Sequence, residues 1–334
     1  MGGLGMMSKV LVLYLKNKDE RVPKQPLPHF RTDARVYEQE PTSGLRVTWM
    51  GHSSTLVEMD GVRVLIDPMW DLRASPSGLV GPKRFFPTPL VPEELPKIDV
   101  VLLSHDHYDH LGTQTIRKLV QVNATKESRW VTSLGVGTQL RKLGVRAERT
   151  TELDWTDDVT VTSERTGAQL KITALPARHF SGRSLWNRFE TLWSSFAIRG
   201  QKHKIYFGGD SGLWDGFAQI AAEYGPFDLT MLEVGAHNKL WEAIHMGPDG
   251  AARAFQAMGA AGLLMPIHWG LFELAPEGWR HPIQKINQLA DECRFKLWSP
   301  EPGVPTEVMA GEEVRSDWWS ETAGYSGDGR PAKM

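Results

Sequence analysis

The chain has 334 residues, 41% of them hydrophobic, which suits one large α/β domain with a sizeable core, or two domains. Its 38 Lys and Arg stand against 40 Asp and Glu, and the resulting formal charge of -2 argues against nucleic acid as a partner. The single cysteine, Cys293, excludes an intramolecular disulfide and a cysteine-rich metal site.

The N-terminal stretch MGGLGMMSKVLVLYLKNKDE carries one apolar run, Val10 to Leu15. Six residues are too few for the core of a signal peptide or a bilayer span, so the expectation is a soluble, cytoplasmic protein. Residues 16–44 are polar and contain prolines, and the segment 1–44 reads as an irregular arm lying on a domain that occupies 45–311. That domain opens as strand, turn, strand in LRVTWMG and STLVEMDGVRVLIDP, with Asp60-Gly61 marking a tight hairpin turn. Residues 68–96 hold seven prolines and form a long excursion, expected at the mouth of a pocket.

IDVVLLSH reads as a buried strand, and Thr113 to Val120 as a helix directly after it. Arg129 to Ser133 and VRAERT suggest further strand edges, and VTVTSE with QLKITALPARH suggests a second sheet. SFAIRG, a polar turn at Gln201 to His203, and KIYFGGDSG loosely echo the first hairpin; Asp67 ends one unit and Asp210 the other. The echo points to two related halves. DLTMLEVG is a strand, PDGAARAFQAMG a helix, and AGLLMPIHW a strand ending in histidine. HPIQKINQLADEC is a helix with Ile283, Ile286, Leu289 and Ala290 on one side. The tail, 312–334, is polar apart from Trp318-Trp319 and is expected to be frayed or draped.

Chemistry concentrates in LSHDHYDHLG, Leu103 to Gly112. A tight loop after a strand can turn His105 and His107 towards one cation, and Asp109 with His110 towards a second. Asp106, between the first pair, points away and orients a ligand or backbone. Three later strand ends supply His179, Asp210 and His268, and Gly208-Gly209 allow close backbone approach at Asp210. Together they complete two three-ligand half-sites joined by Asp210. Imidazole and carboxylate suit zinc best, with manganese or iron as alternatives.

GHSSTLVEMDGVRVLIDP, GPKRFFPTPL, LLSHDHYDHL, ALPARHFSGR, YFGGDSG, IHMGPDGA and MPIHWGLFEL resemble the metallo-β-lactamase superfamily, in its N-acyl-phosphatidylethanolamine phospholipase D-like branch. The resemblance runs from about Leu45 to Pro300. It implies an αββα sandwich: two mixed β-sheets packed face to face, with helices on both outer faces. It also implies that His105, His107 and His179 hold one zinc, that Asp109, His110 and His268 hold the other, and that Asp210 bridges them. The β-lactamases of the superfamily use a cysteine where this chain has Asp210, which turns the expectation from antibiotics to phosphodiesters or lactones.

The expected chemistry is attack of a metal-bridged hydroxide on phosphorus, with developing charge met by the cations and nearby donors. His245 is the candidate donor to phosphate or acid for the leaving group, and Asp210 is catalytic through its bridging role. Candidate substrate or supporting residues are His52, Asp67, Lys83 and Arg84, the last two pairing positive charge with the apolar Phe85 and Phe86. Arg183 faces the same choice between a substrate contact and a solvated turn, while His203 is expected to be exposed. The leading expectation is a phospholipase D-type phosphodiesterase acting on an N-acyl phospholipid, in peripheral contact with a membrane. A sugar-phosphate lactonase would instead show a small polar pocket. A non-catalytic, metal-stabilised binding protein would show closed coordination.

Overall fold

A computed structural model describes residues 20–184 and 186–320, together with Val12. Most of the apolar run Val10 to Leu15 and the tail beyond Ser320 lie outside the described residues.

The first sheet contains β1 (Leu45–Trp49), β2 (Thr55–Met59), β3 (Val62–Ile66), β4 (Val100–Leu103), β5 (Arg129–Ser133) and β6 (Thr150–Leu153) in chain order. The second runs from β7 (Asp158–Thr162) through β8 (Gln169–Leu175), β9 (Ser195–Arg199), β10 (Lys204–Phe207) and β11 (Leu229–Glu233) to β12 (Leu263–Ile267). Near the C-terminus, β13 (Trp298–Ser299) pairs with β15 (Val314–Arg315), while β14 (Thr306–Glu307) extends the first sheet beside β1.

Strand periodicity assigns the layers. Val64, Ile66, Val100 and Leu102 join one core with Ile172, Phe196, Ile198 and Phe207 of the second sheet. Their neighbours Leu65, Val101 and Leu103 face the other way, against Ile116 and Leu119 of α1 (Thr113–Gln121) and Leu140 of α2 (Gly137–Lys142). The second sheet packs against α3 (Gly216–Tyr224), α4 (Gly247–Ala257) and α5 (His281–Cys293), which contribute Phe217, Phe255 and Ile286. The result is the expected αββα order.

The internal echo extends to strand direction. From β1 to β5 the pairings run antiparallel, antiparallel, parallel, parallel, and from β8 to β12 they repeat that series. Asp67 follows β3 and Asp210 follows its counterpart, β10. At the opposite ends of these two strands the hairpin turns are tied together. His203 Nδ1–H donates to Asp60 Oδ1 at 2.7 Å, and Asp60 Oδ2 accepts from the backbone N–H of Lys202 and His203. The expectation of an exposed His203 is therefore corrected: it is half-buried because Asp60 holds it between the halves.

The arm lies on the outside of the first sheet, anchored by buried charge. Glu58 accepts from Arg46 Nε at 2.5 Å and from Arg63 Nε at 3.1 Å, and both guanidinium groups also donate to arm carbonyls, at Gln39 and Tyr37. Of the tail expected to be frayed or draped, the described part, 312–320, is draped. Val314 and Arg315 form β15, and Trp318 is buried against Trp49, Trp269 and Phe30, so apolar burial holds the chain to the core beyond residue 312. VRAERT is mostly a 3₁₀ turn; only its final threonine enters β6.

Candidate metal centre

β4 is buried along its length, and the chain leaves it at Ser104-His105. A tight turn follows, with the N–H groups of His110 and Leu111 both donating to the carbonyl of His107. His179, Asp210 and His268 arrive from the ends of β8, β10 and β12. All seven predicted ligands gather here in two groups, His105, His107, His179 and Asp210 in one and Asp109, His110 and His268 with His52 in the other, and Asp210 and His268 meet again in a third with Glu233 and His245. In the first, His107 Nδ1 lies 2.9 Å from His105 Nε2 and 3.1 Å from His179 Nε2, with Asp210 Oδ2 at 3.8 and 3.7 Å from those two Nε2 atoms. In the second, Asp109 Oδ2 lies 3.5 Å from His110 Nε2 and 3.3 Å from His268 Nε2. Asp210 reaches both groups, its Oδ1 lying 3.2 Å from His110 Nε2 and its Oδ2 3.0 Å from His268 Nε2.

Hydrogen bonds around the centre fix which nitrogen faces inward. Asp67, fully buried, accepts from Ser104 Oγ–H at 2.6 Å, and Ser104 Oγ in turn accepts from His105 Nδ1–H at 2.8 Å. Asp67 also accepts from His110 Nδ1–H at 2.7 Å, so one carboxylate sets the tautomers of a histidine in each group. His179 Nδ1–H donates to the Ile244 carbonyl at 3.0 Å. The Nε2 lone pairs of His105, His110 and His179 therefore point into the centre. His110 Nε2, His268 Nε2 and Asp210 Oδ1 are buried without a hydrogen-bond partner. Burial would lower His268, but Asp210 and Asp109 push it up to about 10, a measure of how strongly this carboxylate pair calls for positive charge. Converging lone pairs, orphaned acceptors, the buried Asp210 and the half-buried Asp109 are the environment a pair of divalent cations requires.

The backbone is bent to place these groups. His52, Asp67 and His268 all have positive φ, at 55°, 39° and 63°, a conformation that side chains with a Cβ rarely adopt. Gly209 has φ of +55°, and a Cβ there would sit 2.9 Å from the Ser194 carbonyl, which accounts for glycine just before Asp210.

The supporting residues separate by contact. Burial first, then the nearby His268, lowers His52 to about 3, so its neutral ring donates Nε2–H to Asp109 Oδ2 at 3.1 Å and orients that ligand. Asp106 turns away, as expected, and accepts from the Gly182 N–H at 2.8 Å. Arg183 binds the metal loop from outside: it donates to the Asp106 and Leu111 carbonyls and stacks 3.7 Å above the Tyr108 ring. The His245 ring lies 5.0 Å from that of His179 and 5.3 Å from that of His268.

Lys83 and Arg84 do not approach the ligands. They line a separate cavity of about 800 Å³ with Trp70, Leu72, Phe85 and Val91, bounded by Thr115 and Lys118 of α1. Arg84 Nη2 is buried there without a partner, and burial, against weak help from Asp71, lowers the group to about 10.

Two contributors went unread in the sequence. Ser104 relays Asp67 to His105, a link visible only in three dimensions. Glu233, fully buried at the end of β11, accepts from His245 Nδ1–H at 2.7 Å. An acid closing the apolar run Leu229–Leu232 was the available signal. Burial acts first on both partners, raising Glu233; it would lower His245, but Glu233 raises that histidine above the ordinary imidazole range.

Residues 62–269 match the beta-lactamase superfamily domain. The chain is 42% identical over 299 residues to an uncharacterised protein of Mycobacterium tuberculosis, covering 89% of this chain and 77% of that one. It is 34% identical over 280 residues to N-acyl-phosphatidylethanolamine-hydrolyzing phospholipase D 1 of Caenorhabditis elegans, covering 82% and 77%. Among solved structures, a metallo hydrolase from Ignicoccus hospitalis superimposes with a TM-score of 0.58 at 20% identity, over 78% of this chain and 97% of that one.

Proposed function

Since the chain belongs to the metallo-β-lactamase superfamily of metal-dependent hydrolases, in the branch that includes the N-acyl-phosphatidylethanolamine phospholipases D, we propose that it is a dinuclear phosphodiesterase acting on an N-acyl phospholipid or a related anionic amphiphile. His105, His107 and His179 would hold one divalent cation, Asp109, His110 and His268 the other, and Asp210 both; zinc suits this nitrogen and oxygen donor set. When bound, the pair supplies Lewis acidity and lowers the pKa of coordinated water. The protein keeps His105 and His110 in their ligating tautomers through Asp67, holds Asp109 through His52, and presents the His245 imidazole as donor to the phosphoryl group or to the departing alkoxide.

The observation that carries the amphiphile reading is the cavity beside α1, with apolar walls and the unpaired Nη2 of Arg84. Arg84 donates Nε to the Phe86 carbonyl and Nη1 to the Trp70 carbonyl, but its charge still favours an anionic head, and the aromatic and aliphatic lining favours an apolar body. α1 follows the metal loop directly, so one extended substrate can address both places. A sugar-phosphate lactonase has no use for so large an apolar space.

A second apolar feature supports action at the periphery of a membrane. Phe180 packs against His107, and the loop beyond it exposes Trp186 and Phe189 beside Arg188. Among the described residues no helix is long and apolar enough to cross a bilayer.

The test is metal analysis followed by turnover of a phosphodiester, a phosphomonoester and a lactone on one preparation. Two metals per chain and preferential hydrolysis of the long-chain diester are expected; lactone turnover alone overturns the proposal. Asp210→Asn should keep the native circular dichroism spectrum while losing most diester turnover and the second metal. Wild-type rates with both metals in place would count against the bridging role.

A further inference from the structure

The structure assigns to Glu233 a role beyond closing β11: we infer that it is the positioning residue for His245, fixing that ring's tautomer and direction. The two carboxylate oxygens have separate duties. Oε1 accepts from the backbone N–H of Met246 at 2.7 Å, which ties down the residue preceding α4. Oε2 accepts from His245 Nδ1–H at 2.7 Å. With Nδ1 engaged, Nε2 is the only nitrogen His245 can offer to another group.

The surroundings leave the ring one place to be. The His245 carbonyl accepts from His237 Nδ1–H at 2.8 Å, and its N–H donates to the Trp241 carbonyl at 3.3 Å. Gly247, at φ +62°, lets the chain turn into α4 where a Cβ would lie 2.5 Å from the His237 ring. Backbone anchors therefore fix where His245 sits, and Glu233 fixes how the imidazole is rotated.

A role for Glu233 as a third carboxylate ligand is the alternative, since one of its oxygens lies within 4.8 Å of a ligating atom of each of Asp210, His245 and His268. Each oxygen, however, already accepts a hydrogen bond at 2.7 Å, from Met246 or His245. A residue spent on orienting a neighbour is the simpler account.

This inference rests on the proposed catalytic part of His245, and the substitution Glu233→Gln separates the two duties. The glutamine carbonyl can still accept from Met246, but its amide NH₂ cannot accept from His245 Nδ1–H. Nitrogen-15 NMR on the unaltered, metal-loaded protein should show a proton on His245 Nδ1, whether or not Nε2 also carries the one it would donate, and E233Q should leave Nδ1 bare to accept from the glutamine amide. A bare Nδ1 in the unaltered protein, or an Nδ1 still protonated in E233Q, overturns the proposal. This readout is independent of substrate, so it stands even if the diester proves to be the wrong one.

The kinetic arm uses whichever ester the preparation hydrolyses. E233Q should lower kcat about 10- to 100-fold, with KM and metal content unchanged. In an H245Q background the same substitution should cost nothing further, because Glu233 acts only through that ring. An equal loss in both backgrounds, or loss of a metal, would show a structural or ligating role and overturn the assignment.

Discussion

The division of labour among single side chains is clearest at Asp67. It touches neither group of ligands' inward atoms, yet it determines the tautomers of His105, through Ser104, and of His110 directly. Asp67→Ala should therefore weaken metal retention at both positions together, by about 10- to 100-fold in affinity, measured by competition with a chromophoric chelator. Loss confined to one position would contradict that shared control. The seven side chains that gather at the centre were legible because strand-end histidines and aspartates after apolar runs are distinctive. Asp67 was legible for the same reason. Glu233 also closes a strand but went unread, because nothing local marks its partner, His245, twelve residues on. Lys83 and Arg84 were legible as a charge beside aromatics, but their separation from the ligands depends on how the proline-rich loop folds back, which no local pattern specifies.

Among elements, those with a clear period or turn were readable. Asp60-Gly61, both at positive φ, forms the hairpin that the residue pair announces, and the burial pattern of α5 follows the anticipated Ile283, Ile286 and Ala290 face. α2 and α3 escaped: the first is six residues long, and the second starts among glycines after Asp210, where loop composition hides the onset. The N-terminal arm shows how an irregular segment is held without regular pairing. Its carbonyls at Tyr37 and Gln39 bond to guanidinium groups that share one buried carboxylate, Glu58, only 2% exposed. Removing that charge while leaving both arginines in place strands two buried cations. Glu58→Gln should lower stability by about 3–5 kcal/mol in urea denaturation. A change under about 1 kcal/mol would mean that water reaches the arginines.

At the level of the whole molecule, the repeated strand directions bring two halves to a common edge, and ligands from both meet there. The cations proposed for that edge would join segments far apart in sequence and favour the folded chain over the unfolded one. Stripping them should lower the melting temperature reversibly, with the stabilisation reaching about 4 kcal/mol when free metal is about 1,000 times Kd. Differential scanning calorimetry with graded chelator and added zinc checks this; a melting temperature indifferent to metal would argue against a shared centre. The Asp60–His203 bond gives the far edge a matching fastening, since it joins the starts of β3 and β10, the same two strands whose ends deliver Asp67 and Asp210. The sandwich is thus clasped at both poles, and a splay at one must be felt at the other. Replacing His203 with alanine, seven residues before Asp210 and so about 23 Å away at most along the chain, should speed the loss of the proposed metal without altering a group that would hold it.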